Sequence, residues 1–288
     1  MVMLLALTSA VVYGVSDFLG GTVSRRATAV RALLLGLPAG LALIVAGAAF
    51  GGAPSADGLA WGFGAGVAGG AGMLAFYRAL ARGPMSVVAP VSALAAAVLP
   101  VAAGVLRGER LDAPVVVGVV LCLVAIGLVS MEKDDGARVA AARRPQDSGP
   151  LVAGLAGVCF GVFFILLKEA GGHGGLWPIA ASRTANLAVA VLAAAYLVRR
   201  HGALPGPAVR GRPLIALAVA SGVLDAAANT LYFVAARSGM LSLAAVLTSL
   251  YPAITVLMAR FAYSERLRAV QRVGMALAAA GVALVTVG

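Results

Sequence analysis

The chain has 288 residues, of which 61% are hydrophobic and only 11% are charged, and its mean hydropathy is +1.00. A soluble globular protein has about 45–50% apolar and about 25% charged residues, so this composition excludes an ordinary soluble fold. The net charge of +11 comes from residues that stand singly or in pairs between apolar runs. This scatter argues against nucleic-acid binding, which needs basic residues clustered on one face.

Ten apolar runs follow one another along the chain, each close to the roughly 20 residues that cross a bilayer as a helix. They predict transmembrane helices at residues 2–23, 28–50, 58–81, 84–106, 112–131, 151–169, 175–198, 213–236, 240–262 and 267–287. The predicted fold class is therefore an all-α integral membrane protein with ten transmembrane helices. We expect it to be multi-pass in the cytoplasmic membrane of the cell.

The two halves of the chain carry the same motifs at one constant offset. Gly83-x-x-Ser86 recurs as Gly239-x-x-Ser242, Glu109-Arg110-Leu111 recurs as Glu265-Arg266-Leu267, and Gly66 corresponds to Gly222. These matches predict a first five-helix repeat over residues 1–131, a polar linker over 132–149 and a second repeat over 150–288. An odd number of helices per unit inverts the second repeat, as in many secondary transporters, whose substrate site lies between the repeats near the midplane.

These motifs resemble those of the drug/metabolite transporter superfamily, specifically its EamA-like families. The resemblance depends on the repeat length, on the Gly-x-x-Ser that opens the fourth and ninth helices and on the Glu-Arg-Leu that closes them. It also depends on Tyr13-Gly14-x-Ser16-Asp17-Phe18 in the first helix, where the family often has Trp-Gly. It covers nearly the whole chain and implies a transporter. Related families export amino acids and metabolites or carry sugars and nucleotide sugars, so the resemblance names no substrate.

Loop charge and resemblance give opposite membrane orientations. If ten helices are present, nearly all Lys and Arg residues fall on one side, and the other side has only Arg107, Arg110, Lys168 and Arg237. Because positive loops stay cytoplasmic, this imbalance places both termini outside the cytoplasm. The resemblance implies that both termini lie inside. We favour the charge count, and cysteine labelling of residues 132–149 in intact cells tests it.

The first predicted helix carries polar residues on one face. Tyr13, Ser16, Asp17 and Gly20 follow the i, i+3, i+4, i+7 spacing of a single helix face. Asp17 lies roughly 12 Å along the helix from Arg25, too deep for its short side chain to reach water on that side. Its face therefore borders a cavity with a proton or cation site, or Asp17 is buried and held by an Arg or by hydroxyls.

The eighth predicted helix repeats this arrangement. Ser221, Asp225, Asn229 and Tyr232 share one face, and the equivalent of Asp225 in the first repeat is Gly69. A carboxylate that the other repeat lacks is not required by the shared scaffold. This asymmetry favours a specific role for Asp225 over a packing role, and we expect Asp225→Asn to abolish proton-dependent flux.

Further candidates lie on three helices. Arg183, close to Asn186 on the seventh helix, is placed to bind a carboxylate or phosphate, or to neutralise Asp17 or Asp225; we favour the ion pair. Tyr77 and Tyr251 suit a cavity wall or anchor their helices at the interface. The candidate substrate-binding residues are Tyr13, Ser16, Asp17, Tyr77, Arg183, Asn186, Ser221, Asp225, Asn229, Tyr232 and Tyr251.

Glycines crowd the third predicted helix. Gly62, Gly66, Gly69 and Gly70 are among them, and glycines four residues apart allow membrane helices to approach closely. We expect these glycines to serve packing, and to affect function only as a surface on which helices move.

The function predicted from these residues is secondary transport of a small metabolite or drug-like solute by alternating access. Its partners would be that solute, the lipid bilayer, and protons or Na⁺ as coupling ions, or it would work by exchange. No P-loop is present, and no cofactor or metal site is expected. With 6% aromatic residues, a small metabolite is favoured over a large aromatic substrate.

Two other classes stay open. A non-transporting scaffold or sensor subunit needs no polar helix face. A membrane-embedded enzyme is less favoured, because His173 and His201 fall in loops, away from any intramembrane serine. The oligomeric state is not indicated by the sequence.

Overall fold

The computed structural model describes residues 1–82, 85–109, 112–129, 149–171, 174–204, 206–263 and 269–287. Their regular secondary structure is entirely helical. The helices are α1 Val2–Arg26, α2 Ala29–Ala49, α3 Ala56–Arg82, α4 Met85–Leu106, α5 Ala113–Val129, α6 Gly149–Glu169, α7 Trp177–His201, α8 Arg212–Ser238, α9 Leu241–Thr248, α10 Tyr251–Tyr263 and α11 Ala269–Val287. The predicted linker, residues 132–149, lies almost wholly outside the described residues.

Six of these helices, α1, α2, α3, α6, α7 and α8, are long and apolar enough to cross a membrane. Shorter apolar helices lie within Val91–Leu106, Ala113–Ala125 and Leu241–Thr255. Large apolar side chains also cover the outer surface: Leu4 is 72% exposed and Leu192 is 69% exposed. A surface of this kind is stable against acyl chains and not against water, so the chain is a multi-pass integral membrane protein.

The ninth predicted helix, residues 240–262, is not continuous. It is divided into α9 and α10, with Ser249 and Leu250 between them. Pro252 causes this break, because it has no backbone N–H to bond the carbonyl of Thr248 and its ring clashes with that carbonyl. A proline inside a helix often produces only a kink. The structure instead ends one helix and begins another beside the centre of the bundle.

The helix contacts are arranged as two equivalent halves. Helix α1 packs against α8, and α3 packs against α6; these two contacts interchange when the helices of the first half are exchanged for their counterparts in the second. The contact of α2 with α8 has its counterpart in that of α3 with α7. The pair formed by α5 and α11 is its own counterpart. The two-repeat architecture expected from the motifs fits this packing.

Glycines permit the closest of these approaches. A Cβ atom on Gly222 would lie 2.0 Å from the carbonyl oxygen of Gly36, where α8 meets α2. A Cβ atom on Gly66 would lie 2.1 Å from the carbonyl oxygen of Ser182, where α3 meets α7. The predicted packing role of the α3 glycines is therefore confirmed at Gly66, and Gly66 and Gly222 serve equivalent contacts in the two halves.

Candidate functional site

A cavity of about 560 Å³, counting the part that opens to the outside, lies between the two halves of the bundle. Helices α1, α3, α4, α6, α7, α8 and α10 contribute to its wall. The lining residues are Tyr13, Asp17, Gly69, Met73, Phe76, Tyr77, Ala96, Phe160, Phe163, Phe164, Asn186, Asp225, Asn229 and Tyr251.

Seven of the eleven candidate residues predicted from the sequence line this cavity. They are Tyr13, Asp17, Tyr77, Asn186, Asp225, Asn229 and Tyr251. The structure therefore brings together polar groups from α1, α3, α7, α8 and α10, which are far apart in the chain. The other four, Ser16, Arg183, Ser221 and Tyr232, lie behind the wall or beside it.

Asp225 is one of two carboxylates among the described residues of the cavity wall, and its charge is compensated. It is ion-paired with Arg183, whose side chain is 1% exposed. The favoured interpretation of Arg183 as an ion-pair partner is confirmed, with Asp225 as the partner. One guanidinium nitrogen, Nη2, has no hydrogen-bond partner among the described residues.

Asp17 is the other carboxylate, and it differs from Asp225 in having no such partner. Within the described part of the chain, it makes no hydrogen bond or ion pair, and it is partly exposed. Helix α1 continues nine residues beyond it, to Arg26. An ionised carboxylate at such a depth costs several kcal/mol unless water, a cation or a proton reaches it. Asp17 lines the cavity, so its side chain borders that space.

The serines of the two polar helix faces join the helices to each other. The Ser16 hydroxyl donates to the backbone carbonyl of Ser221 at 2.8 Å, and the Ser221 hydroxyl donates to the carbonyl of Ser16 at 2.9 Å. This reciprocal pair fixes the register of α1 against α8 and leaves little capacity for a solute. Ser221 also lies 3.2 Å from the hydroxyl of Tyr77, which positions that ring.

The four candidate tyrosines, of which Tyr77 is described above, do not occupy equivalent places. Tyr251 begins α10, and its ring lies next to that of Tyr13 in the cavity wall, with 6.1 Å between the ring centroids. Tyr232 is fully buried, and its hydroxyl donates to the carbonyl of Phe164 at 3.1 Å. It supports the wall by packing against the ring of Phe164, 4.4 Å away.

The phenylalanines of the cavity were not among the candidate residues predicted from the sequence. Phe160, Phe163 and Phe164 lie on α6, and Phe76 lies on α3. In so apolar a chain an isolated Phe is not distinguishable from a lipid-facing one. The available signal was spacing, since Phe160, Phe163 and Phe164 stand at i, i+3 and i+4 and share one helix face.

A polar network closes the bundle at the end where α9 begins. The carboxylate of Glu109, in the loop between α4 and α5, accepts bonds from the backbone N–H of Leu241 at 2.7 Å and from the hydroxyl of Ser242 at 2.6 Å. Lys168 adds a bond at 3.2 Å. Beside it, Arg107 is ion-paired with Glu169. These contacts tie the α4–α5 loop to α6 and α9.

This network sets the ionisation of Glu109. Burial acts to raise the pKa of the Glu109 carboxyl, but hydrogen bonds from Ser242, from the backbone of Leu241 and from Lys168 lower it by more. The net effect is a pKa below the ordinary value of 4.5. Glu109 is therefore ionised at neutral pH, as a helix N-terminus favours.

Comparison with known proteins agrees with the fold and the repeats. The chain is similar to a protein of known crystal structure, at a TM-score of 0.66 and 20% identity, over 99% of this chain and 96% of that one. At this identity the likeness shows the fold alone. Among curated protein sequences, none is a significant match. The profile of the EamA-like transporter family matches twice, at residues 1–131 and 147–287. The chain belongs to the EamA-like transporter family.

Proposed function

We propose that this protein is a secondary transporter that carries a small solute across the cytoplasmic membrane by alternating access, with the cavity between its halves as the binding site. The observation that supports this most directly is the unpaired carboxylate of Asp17 in the cavity wall. Family membership supports transport as the general activity. Polar and ionisable groups deep in a membrane protein typically mark a solute or ion pathway.

The equivalence of the two halves supports alternating access, a mechanism that needs two related states. We count ten spans, with α9 and α10 together as one, so that the second five are inverted relative to the first. If each half takes up the conformation of the other, the contact of α2 with α8 exchanges roles with that of α3 with α7. The cavity then opens to the opposite side of the membrane.

Asp17 is the better candidate of the two carboxylates for coupling to protons or Na⁺. The charge of Asp225 is already compensated by Arg183, whereas that of Asp17 is not. Binding of a proton, a metal cation or a cationic solute at Asp17 therefore relieves an uncompensated charge inside the membrane. The sequence predicts that Asp225→Asn abolishes proton-dependent flux, so this variant is measured for comparison. Asp17→Asn is the decisive variant.

The test begins with a thermal-shift screen of the purified protein against amino acids, sugars and amphipathic cations. The best stabilising solute is then loaded into proteoliposomes, and counterflow of the labelled solute is measured. We expect saturable counterflow that Asp17→Asn abolishes and that the matched variant Asp57→Asn, at an exposed position in the first turn of α3, retains. A solute that binds in the cavity without crossing the membrane would instead favour the scaffold or sensor class.

A further inference from the structure

We propose that the solute is an organic cation with an aromatic or bulky apolar body, held by the carboxylate of Asp17 and by the aromatic rings of the cavity. This inference rests on the proposed function only in taking the same cavity as the solute site. Binding at equilibrium tests it without any measurement of transport.

Aromatic side chains are concentrated in the cavity far beyond their share of the sequence. They make up 6% of the chain but seven of the fourteen lining residues. Tyr13 and Tyr251 form one pair, and Phe76 lies edge-on to Phe160 with 5.8 Å between centroids. Rings that line a cavity offer flat apolar faces to another ring and a negative quadrupole to a cation.

This concentration reverses the preference that the sequence alone suggested. The low overall aromatic content of 6% argued for a small metabolite over a large aromatic substrate. Because half of the lining is aromatic, that average does not describe the site. The polar groups among the fourteen described lining residues are two carboxylates, two amides and three phenols.

The charge of the lining selects for a cation. The fourteen residues include two carboxylates and no Lys, Arg or His. Asp225 is neutralised by Arg183 from behind the wall, so a deprotonated Asp17 gives the cavity one uncompensated negative charge. Asn186 adds an amide oxygen that has no hydrogen-bond partner among the described residues. A cation close to the Asp17 carboxylate and to the Asn186 amide oxygen would gain a favourable interaction with each.

An anionic solute is the competing inference, because Nη2 of Arg183 lacks a partner. That side chain is 1% exposed and already paired with Asp225. An anion would need to break this pair and would meet the charge of Asp17 on the way. Leaving Asp225 buried and unpaired is strongly unfavourable. The geometry therefore favours the cation.

The experiment measures binding of four probes to the purified full chain by calorimetry. Benzyltrimethylammonium has a ring and a permanent positive charge, tetramethylammonium has the charge without the ring, and 3-phenylpropanoate has the ring with a negative charge. Phenylalanine, as a zwitterion, is the fourth. We expect benzyltrimethylammonium to bind tightest, tetramethylammonium at least threefold more weakly, and the anion not at all. Tightest binding of 3-phenylpropanoate or phenylalanine would overturn the proposal.

Two sets of variants test separately how much the charge of Asp17 and the ring of Tyr13 contribute to binding. Asp17→Asn should weaken benzyltrimethylammonium about tenfold or more, since it removes a nearby opposite charge, while Asp57→Asn should leave it unchanged. Tyr13→Leu should weaken it about three- to tenfold, and Tyr13→Phe, which keeps the ring, should not. Unchanged affinity in Asp17→Asn would also overturn the proposal. The ranking of the four probes on the unmodified protein decides the matter even if a variant does not fold.

The outcomes distinguish this inference from the proposed function. If an anion binds tightest and is also carried across proteoliposome membranes, the protein is a transporter and the cation assignment is wrong. If benzyltrimethylammonium binds tightest through Asp17 but is not carried, the cation site stands and the transport function fails.

Discussion

The carboxylate of Glu109 caps the first turn of α9, with 2.6 Å between its Oε2 atom and the hydroxyl oxygen of Ser242. Glu109 belongs to the Glu-Arg-Leu motif of the first half, and Ser242 belongs to the Gly-x-x-Ser motif of the second. The two motifs that identified the repeat are therefore in direct contact across it. Met240, the N-cap residue of α9, offers no side-chain cap, so the helix receives its cap from the other half.

Replacing Glu109 should destabilise this junction. Glu109→Gln keeps the size of the side chain but removes the negative charge that accepts bonds from Leu241, Ser242 and Lys168. Charge-assisted hydrogen bonds of this kind contribute about 1.5–3 kcal/mol each, so we expect a clearly lower thermal unfolding temperature in detergent. The control is Asp112→Asn, an exposed acid in the same loop. Equal melting of Glu109→Gln and the unmodified protein would show that the cap does not stabilise the fold.

The same residue should make stability depend on pH. Because the folded protein lowers the pKa of Glu109 below 4.5, the stabilising contribution is present above that ordinary value. It is lost as the pH falls through the lowered folded value. The difference in melting temperature between the unmodified protein and Glu109→Gln should therefore be constant near neutral pH and shrink on acidification below 4.5. A difference that grows on acidification would contradict this assignment.

The buried pair of Arg183 and Asp225 should respond differently to single and double substitution. Arg183→Met leaves a buried carboxylate without its partner and should cost roughly 3–5 kcal/mol. Adding Asp225→Asn removes the second charge and should restore part of that loss. Unfolding of both variants in detergent measures the difference. A double variant less stable than Arg183→Met alone would mean that the two side chains are not coupled as the structure describes.

Close helix packing should make one glycine intolerant of a methyl group. In Gly222→Ala, the new Cβ atom would collide with the backbone of Gly36, so α2 and α8 must separate. Overpacking of this kind costs about 1–3 kcal/mol or more. The matched control is Gly154→Ala on α6, where a Cβ atom meets nothing within 4 Å, and we expect no loss there. The thermal unfolding temperature should therefore be lower for Gly222→Ala than for Gly154→Ala.

Much of the fold was accessible from the sequence because lipid imposes simple rules. Apolar runs of membrane length gave the helices to within a few residues, and the repeated motifs gave the two halves. The break between α9 and α10 was not predicted, because Pro38 lies inside an intact α2 whereas Pro252 interrupts its helix. Whether a helix continues through a proline or breaks there depends on the neighbours that pack around it in the folded protein. The sequence does not show those neighbours.

The candidate site was recovered where polarity was unusual and missed where it was not. Asp17 and Asp225 stood out because acids are costly inside a membrane. Phe76 and Phe163 did not, because an aromatic ring is equally stable against lipid and in a cavity. Ser16 and Ser221 were selected by polarity, but their hydroxyls serve the contact of α1 with α8. Which face of a helix meets a cavity depends on the packing of all its neighbours.

The central claim, that the cavity is the transport pathway, is tested by blocking it. In a variant with Cys122→Ala and Cys159→Ala, Met73→Cys places one thiol on the cavity wall, and Ala56→Cys places one at the exposed start of α3 as a control. Counterflow in proteoliposomes is measured before and after reaction with N-ethylmaleimide. We predict that alkylation stops counterflow only in Met73→Cys and that saturating solute slows this reaction. Undiminished counterflow through fully alkylated Met73→Cys would contradict the claim.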